Sequence, residues 1–306
     1  MAKIDSLFPI LNNKPLTGLA RTAAEAPLDS TGCLTEYRPL VSRSIVSKVN
    51  SKRGAPFTHA INPYRGCEFG CRYCYARYTH EFLEMRDPEE FERKIYFKQN
   101  AAWLLTQTSG FILGIVSKSA LVARDTDLLT AIAKRNRLTV HLTVTTMNTK
   151  LARILEPRAP RPDLRMATVA HLRQAGLRAG VLCSPLMPGI TDTRSSIAAV
   201  AQSAAAADAS FFASGPLFLK PCSLPTFFAF VKKHFPEQLP AYEKRYEKSA
   251  FVSPEYSKRV AALIDSVCRE YKLGRRYSGK PEDDPRLPKA PVMEAQPWLP
   301  FETTGT

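Results

Sequence analysis

The sequence predicts an α/β protein: a partial β/α barrel or open wound sheet, followed by a C-terminal helical extension. Two observations carry this reading. Apolar runs of strand length at 111–116, 139–145, 179–183 and 210–217 alternate with helical patterns at 125–136, 150–155, 163–175 and 192–207. Strands buried between amphipathic helices run parallel and are joined by right-handed crossovers. From 224 to 273 the pattern becomes wholly helical, with helices expected over 226–234, 239–248 and 254–271.

A chain of 306 residues with 44% hydrophobic content can bury a large core. Residues 1–36 mix Pro, Gly, Thr, Ala and Asn without periodicity and are expected to form a disordered leader, which includes Cys33. The α/β core is expected over 37–222, the helical extension over 223–273 and a disordered tail over 274–306. A short strand at 57–62 would deliver the loop that follows it at its C-terminal end, where α/β folds place their chemistry. Pro88-Glu89-Glu90 reads as the start of a long helix with apolar positions Phe91, Ile95, Ala101, Leu104 and Leu105, ending near Ser109-Gly110. In the helix at 192–207, Ile197, Val200, Ala201 and Ala204 recur at i, i+3, i+4 and i+7 as one buried stripe. The aromatics Phe227, Phe228, Phe230, Phe235, Tyr242, Tyr246, Phe251 and Tyr256 read as helix packing.

The N-terminus has no apolar signal region, and no run reaches the roughly eighteen apolar residues of a membrane span. Seven cysteines, an odd number with three clustered, suit a reducing compartment, so a cytoplasmic location is expected. Lys and Arg outnumber Asp and Glu by 43 to 28. Between Glu36 and Arg77 eight basic residues, Lys52 and Arg53 among them, face two acidic ones, and a second basic block runs from Lys134 to Arg178. Such blocks can neutralise phosphates, or simply form a solvated basic surface.

The chemistry concentrates in Asn62-Pro63-Tyr64-Arg65-Gly66-Cys67-Glu68-Phe69-Gly70-Cys71-Arg72-Tyr73-Cys74-Tyr75. Cys67, Cys71 and Cys74 let three thiolates converge from one loop, a donor set suited to a [4Fe-4S] cluster with one iron left open. Gly66 and Gly70 flank two of these residues, where positive φ is useful. A Cys3His zinc site that borrows His59 or His80, or chance clustering of thiols, are the alternatives.

This run resembles the cluster loop of the radical S-adenosylmethionine (SAM) superfamily, Cys-x-x-x-Cys-x-aromatic-Cys. With its flanks, and with His80-Glu81-Phe82 after it, it is similar to the spore photoproduct lyase-like group. The resemblance covers roughly residues 37–272. It implies a radical-SAM-type barrel, a [4Fe-4S] cluster on Cys67, Cys71 and Cys74, and SAM bound at the open iron. It also implies cleavage to a 5′-deoxyadenosyl radical and an electron donor such as flavodoxin or ferredoxin. By the same resemblance Tyr73 and Tyr75 are aromatics that contact SAM. Lys118, ending the strand Ile115-Val116-Ser117-Lys118, pairs with its carboxylate, and Thr145 offers a hydroxyl. Pro185-Leu186-Met187-Pro188-Gly189-Ile190-Thr191 matches a loop near the adenine.

One departure stands out. Relatives carry an extra strand and helix between the first long helix and the lysine strand, whereas here Trp103-Leu104-Leu105-Thr106-Gln107 is followed within a few residues by Gly110-Phe111-Ile112-Leu113-Gly114. Five candidate strands replace six, as if one strand-helix unit were missing near residues 105–111. The family's hydrogen-donating cysteine belongs to that region, and Cys183 and Cys222, read as strand-end residues, are the remaining candidates. The expected function is a radical SAM enzyme, lyase-like, of unknown substrate, with nucleic acid as a partner. The alternatives are a non-catalytic cluster- or zinc-stabilised nucleic-acid-binding protein and a truncated inactive remnant.

Overall fold

The computed structural model describes residues 30–31, 35–40, 46–48, 59–83, 87, 89–99, 101, 105 and 111–274. The chain divides into two compact units, each assembled from separate stretches of sequence. One comprises 1–101, 156–158 and 219–250; the other comprises 102–155, 159–218 and 251–306. The extension expected over 223–273 is therefore shared between them. Among the described residues no helix is long and apolar enough to cross a membrane.

The first unit contains a small mixed sheet. Strands β1 (Ser30–Thr31) and β2 (Glu36–Pro39) pair antiparallel. Ser30 and Thr31 thus pair with a strand although they fall in the stretch expected to lack structure; most of that stretch, Cys33 included, lies outside the described residues. A separate antiparallel pair joins β3 (Val46–Lys48) to β4 (His59–Ile61). The strand expected before the cysteine loop is present as β4, and it pairs with β3 rather than with the parallel strands. After it, β5 (Tyr64–Arg65) lies antiparallel to β6 (Lys94–Phe97), which in turn runs parallel to β2.

Here the sequence expectation needs correcting. The long helix from Glu90 is interrupted: one turn, α1 (Glu90–Arg93), is followed at once by β6, and the chain is helical again at Ala101 and Leu105, two of the expected apolar positions. Lys94-Ile95-Tyr96-Phe97 is β-branched and aromatic, and β2 and β5 offer backbone partners on both sides. Ile95 and Tyr96 are buried, so a spacing that suited one helical face instead serves a turn followed by a strand. Residues 102–104 and 106–110, including the expected Ser109-Gly110 end, lie outside the described residues.

The second unit holds four parallel strands in sequential spatial order: β7 (Ile112–Ser117), β8 (Arg137–Thr143), β9 (Ala179–Leu186) and β10 (Phe212–Pro216). Helix α2 (Thr126–Arg135) connects β7 to β8; α3 (Thr149–Leu155) and α4 (Pro162–Gln174) lead to β9; α5 (Arg194–Ala206) leads to β10. This is a partial (β/α) fold, with the alternation the sequence predicts.

The core of this unit lies between the strands and α2, α4 and α5, with Val140, Leu142, Val169, Leu172, Val181 and Phe212 fully buried. Thr193 caps α5 by accepting from the Ser196 N–H at 3.2 Å, and the stripe Ile197, Val200, Ala201, Ala204 is wholly buried as expected. Inner strands β8 and β9 are near-continuously buried, as parallel strands between helices must be. In contrast β7 alternates, and Ile112 and Val116 are each 58% exposed.

The C-terminal helices follow their expected spans: α6 (Leu224–His234) and α7 (Leu239–Tyr246) in the first unit, α8 (Pro254–Glu270) in the second. Phe227 packs on Tyr242 at 5.2 Å between ring centroids, which ties α6 to α7, and Phe230 packs on Phe227 within α6 at 5.9 Å.

Truncation of the buried stripe tests this packing. Ile197→Ala should cost about 2–5 kcal/mol, read as a lower urea midpoint, because it leaves a cavity against the sheet. Leu164→Ala on the half-exposed face of α4 should stay within about 0.5 kcal/mol of wild type.

Candidate functional site

The cysteine loop belongs to the first unit and is fastened at both ends. Its entry is β5, with Tyr64 opposite Phe97 and Arg65 opposite Tyr96. Next, Gly66 turns the chain with φ 98°, and the Cys67 N–H donates to the Phe91 carbonyl at 2.9 Å. Gly70 is required twice over. Its φ is +64°, and a Cβ there would stand 2.7 Å from Arg158 Nη2 and 3.0 Å from Glu92 Oε2. Cys74 closes a turn by donating its N–H to the Cys71 carbonyl at 3.2 Å.

Side chains from distant parts of the sequence complete the brace. Arg158 follows α3 by three residues. Its Nε donates to the Glu68 carbonyl, its backbone N–H to the Phe69 carbonyl at 3.2 Å, and its Nη2 to the Glu92 carboxylate. The other oxygen of Glu92 accepts from Arg77 Nη2 at 2.5 Å, and Arg77 also reaches the Cys71 carbonyl at 3.4 Å. Burial alone would raise the Glu92 carboxyl, but the two arginines outweigh it and hold it below the usual carboxylate range. Near the end of the loop, Ser223 Oγ donates to the Cys74 carbonyl at 2.8 Å.

The two tyrosines expected beside a cofactor behave differently. Tyr73 is only 6% exposed and donates its hydroxyl to the buried Glu156 carboxylate, which makes it an anchor of the loop. Tyr75 is 50% exposed and lies roughly parallel to the Tyr78 ring at 6.5 Å, with Lys220 Nζ 3.5 Å over Tyr78. Cys71 is buried, while Cys67 and Cys74 are half-buried.

Among the described residues, no group of three or more His, Cys, Asp or Glu side chains is gathered tightly enough to hold a metal ion. The donor set nevertheless suits iron–sulfur ligation. No disulfide engages the three thiols, they share one loop, and two positive-φ glycines shape its backbone. The side chains of His59 and His80, the candidate fourth zinc ligands, lie outside the described residues.

Lys118 and Thr145 belong to the second unit, at the carboxyl ends of its strands. Lys118 follows β7 directly. Thr145, two residues beyond β8, is buried, and its Oγ1 donates to the Ser184 carbonyl at 3.3 Å. Along the same rim Ser214 Oγ donates to the Cys183 carbonyl at 2.7 Å. Arg165, fully buried, donates to the carbonyls of Thr143 at 2.9 Å and Pro160 at 2.7 Å. The loop after β9 is closed by Thr191 Oγ1, which accepts the Met187 N–H, and by Asp192, which accepts the Gly189 N–H, each at 2.8 Å; Gly189 has φ 74°. Cys183 sits inside the apolar core, where burial pushes its thiol up to about 12. Cys222 lies in a short 3-10 turn, Pro221–Ser223, and not at a strand end as the sequence suggested.

Glu92, Glu156, Arg77, Arg158 and Ser223 were not anticipated. Each is an ordinary charged or hydroxyl residue in sequence, and no periodicity or motif marks it; the closeness of Arg158 and Glu92 to Gly70 is visible only in the structure.

No protein-family model matches the chain. An uncharacterized protein of Mycobacterium tuberculosis is 25% identical over 310 residues, covering 88% of this chain and 90% of that one. Another uncharacterized protein, from Methanocaldococcus jannaschii, is 26% identical over 164 residues, covering 44% of this chain and 62% of its own. Among solved structures, a cysteine-to-serine mutant of spore photoproduct lyase aligns with a TM-score of 0.52 at 15% identity, over 78% of this chain and 80% of that one. Spore photoproduct lyase complexed with dinucleoside spore photoproduct gives 0.50 at 13% identity over the same shares. The chain therefore shares that fold.

The shared carboxylate gives a test. A carboxyl held below its usual value near 4.5 stabilises the fold above that pH and loses its contribution as pH falls through the lowered value. Glu92→Gln should cost about 1–3 kcal/mol at pH 7 by urea unfolding. The difference from wild type should shrink as pH falls below the ordinary carboxylate range and the wild-type carboxyl protonates.

Proposed function

We infer that this protein is a radical SAM enzyme whose [4Fe-4S] cluster is held by Cys67, Cys71 and Cys74. The observation that supports this most is the three-cysteine loop, pinned by backbone bonds and by Arg158, Arg77, Glu156 and Ser223, in a chain with the spore photoproduct lyase fold. When bound, the cluster and SAM together would supply a 5′-deoxyadenosyl radical from one electron delivered by a donor such as flavodoxin or ferredoxin.

The chain's own residues have separable tasks. Tyr73 fixes the loop through Glu156, which leaves Tyr75 to offer an exposed aromatic face beside the last cysteine. Lys118 places a cation at a strand's carboxyl end, suited to a carboxylate such as that of SAM. Thr145 spends its hydroxyl on Ser184, and so contributes by holding the rim between β8 and β9. The inward, apolar setting of Cys183 suits packing rather than hydrogen donation. The substrate class is left to nucleic acid by the basic balance of the chain; Lys52 and Arg53, the proposed contacts, lie outside the described residues. A cytoplasmic setting would keep the thiols reduced.

A second reading, a shortened and slow enzyme, draws on β7. It is an edge strand among the described residues, and its exposed Ile112 and Val116 are what a lost covering strand and helix would leave bare.

Anaerobic reconstitution tests the main reading. The chain should take up about four irons, and Ala at any of Cys67, Cys71 or Cys74 should abolish uptake. Stoichiometric zinc with no iron uptake would replace the reading with a structural zinc site. If β7 marks a shortened barrel, the loaded protein should form 5′-deoxyadenosine slowly or not at all, since loose placement of SAM is costly to rate. Lys118→Ala should then remove residual SAM binding in equilibrium dialysis, whereas fast cleavage by wild type would show that the sheet suffices as it stands.

A further inference from the structure

A cleft of about 520 Å³, partly open to solvent, adjoins the cysteine loop within the first unit. Its inner wall is formed by the buried Arg77 and the half-buried Arg72 and Glu92, with the exposed Arg158 beside them. Thr226, in the first turn of α6, lines it as well. On the exposed rim Arg93 is paired with Glu89 at 2.9 Å, and Asp87 accepts the Glu89 N–H at 2.8 Å, so the lining as a whole sets Arg72, Arg77, Arg93 and Arg158 against Asp87, Glu89 and Glu92 and is positive by one charge.

The positive excess lies on the inner wall. Three guanidinium groups face one carboxylate, because Glu92 alone answers both Arg77 and Arg158. Arg72 is half-buried and makes no hydrogen bond or ion pair with any described residue. A guanidinium withdrawn from water without a counter-charge is costly, and its planar fork of donors suits two oxygens of one anion. The first turn of an 11-residue helix adds partial positive charge to the same cleft.

We propose that this cleft is a phosphate-binding subsite, with Arg72 as its principal ligand and Arg77, Arg158 and the α6 N-terminus supplying the surrounding positive field. The site takes the phosphate of a phosphodiester or a phosphate ester. Glu92 keeps Arg77 and Arg158 in place, and so indirectly sets the shape of the wall that Arg72 completes. Nothing in this arrangement requires iron or SAM, so the subsite stands or falls separately from the cluster.

The test is isothermal titration of the full chain, as purified without iron, with inorganic phosphate at constant ionic strength. Saturable binding is expected, weakened at least tenfold by Arg72→Gln and less by Arg72→Lys, which keeps the charge but not the fork. Unchanged urea midpoints would show that both variants fold. Arg194→Gln, which removes an exposed pair with Glu270 in the other unit, should bind phosphate as wild type does. Competition by a dinucleoside monophosphate would assign the site to phosphodiesters, and competition by ribose 5-phosphate alone would assign it to phosphomonoesters. Absence of saturable binding, or equal affinity in wild type and Arg72→Gln, would overturn the proposal. Because the titration uses iron-free protein, its outcome is read separately from that of cluster reconstitution.

Discussion

One carboxylate shared by two arginines organises the first unit. Glu92 accepts from Arg77 at 2.5 Å and from Arg158 on its other oxygen, and each arginine also reaches a carbonyl of the cysteine loop. A short loop bearing three cysteines gains little from hydrophobic burial, and left to itself it would sample many shapes. Fixing its carbonyls with cations, and fixing those cations with a half-buried anion, restricts it without placing bulky groups beside the sulfurs. The cost is a set of charges that must all be in place together, since removing one leaves another buried and poorly paired. The same constraint explains Gly70, because any side chain there would strike the arginine and the glutamate that hold the loop.

This constraint also explains what could be read from the sequence. The parallel strands and their helices were legible because burial imposes a period, as in the stripe from Ile197 to Ala204, and because each connection is local. The cysteine spacing was legible because all three residues lie within one turn-rich segment. The brace was not. Glu156 lies 83 residues from Tyr73, Arg158 lies 90 from Glu68 and Ser223 lies 149 from Cys74, and no periodicity links such pairs. The helix expected from Glu90 is interrupted for a related reason. Lys94 to Phe97 satisfies a helical spacing in isolation, yet β2 and β5, brought from elsewhere in the chain, claim its backbone.

The site residues inferred from family resemblance fall into two sets. Cys67, Cys71, Cys74, Tyr73 and Tyr75 belong to the first unit, and Lys118 and Thr145 to the second. Within the second unit the carboxyl ends of the strands are tied sideways by hydroxyl groups, Thr145 to Ser184 and Ser214 to Cys183, with Arg165 holding the end of β8. Such ties stiffen a rim at the place where α/β folds present ligands. Tyr73 illustrates how a residue can match a motif and yet have its hydroxyl committed to structure, while the neighbouring Tyr75 keeps an accessible face.

The central claim is that the braced loop holds a cluster to which SAM has access. Electron paramagnetic resonance of the iron-loaded, dithionite-reduced protein, recorded with and without SAM, tests it most directly. The account predicts a paramagnetic signal of a reduced [4Fe-4S] cluster whose line shape changes when SAM is added. A cluster signal that SAM leaves unaltered, or no such signal in protein carrying its full complement of iron, would contradict it.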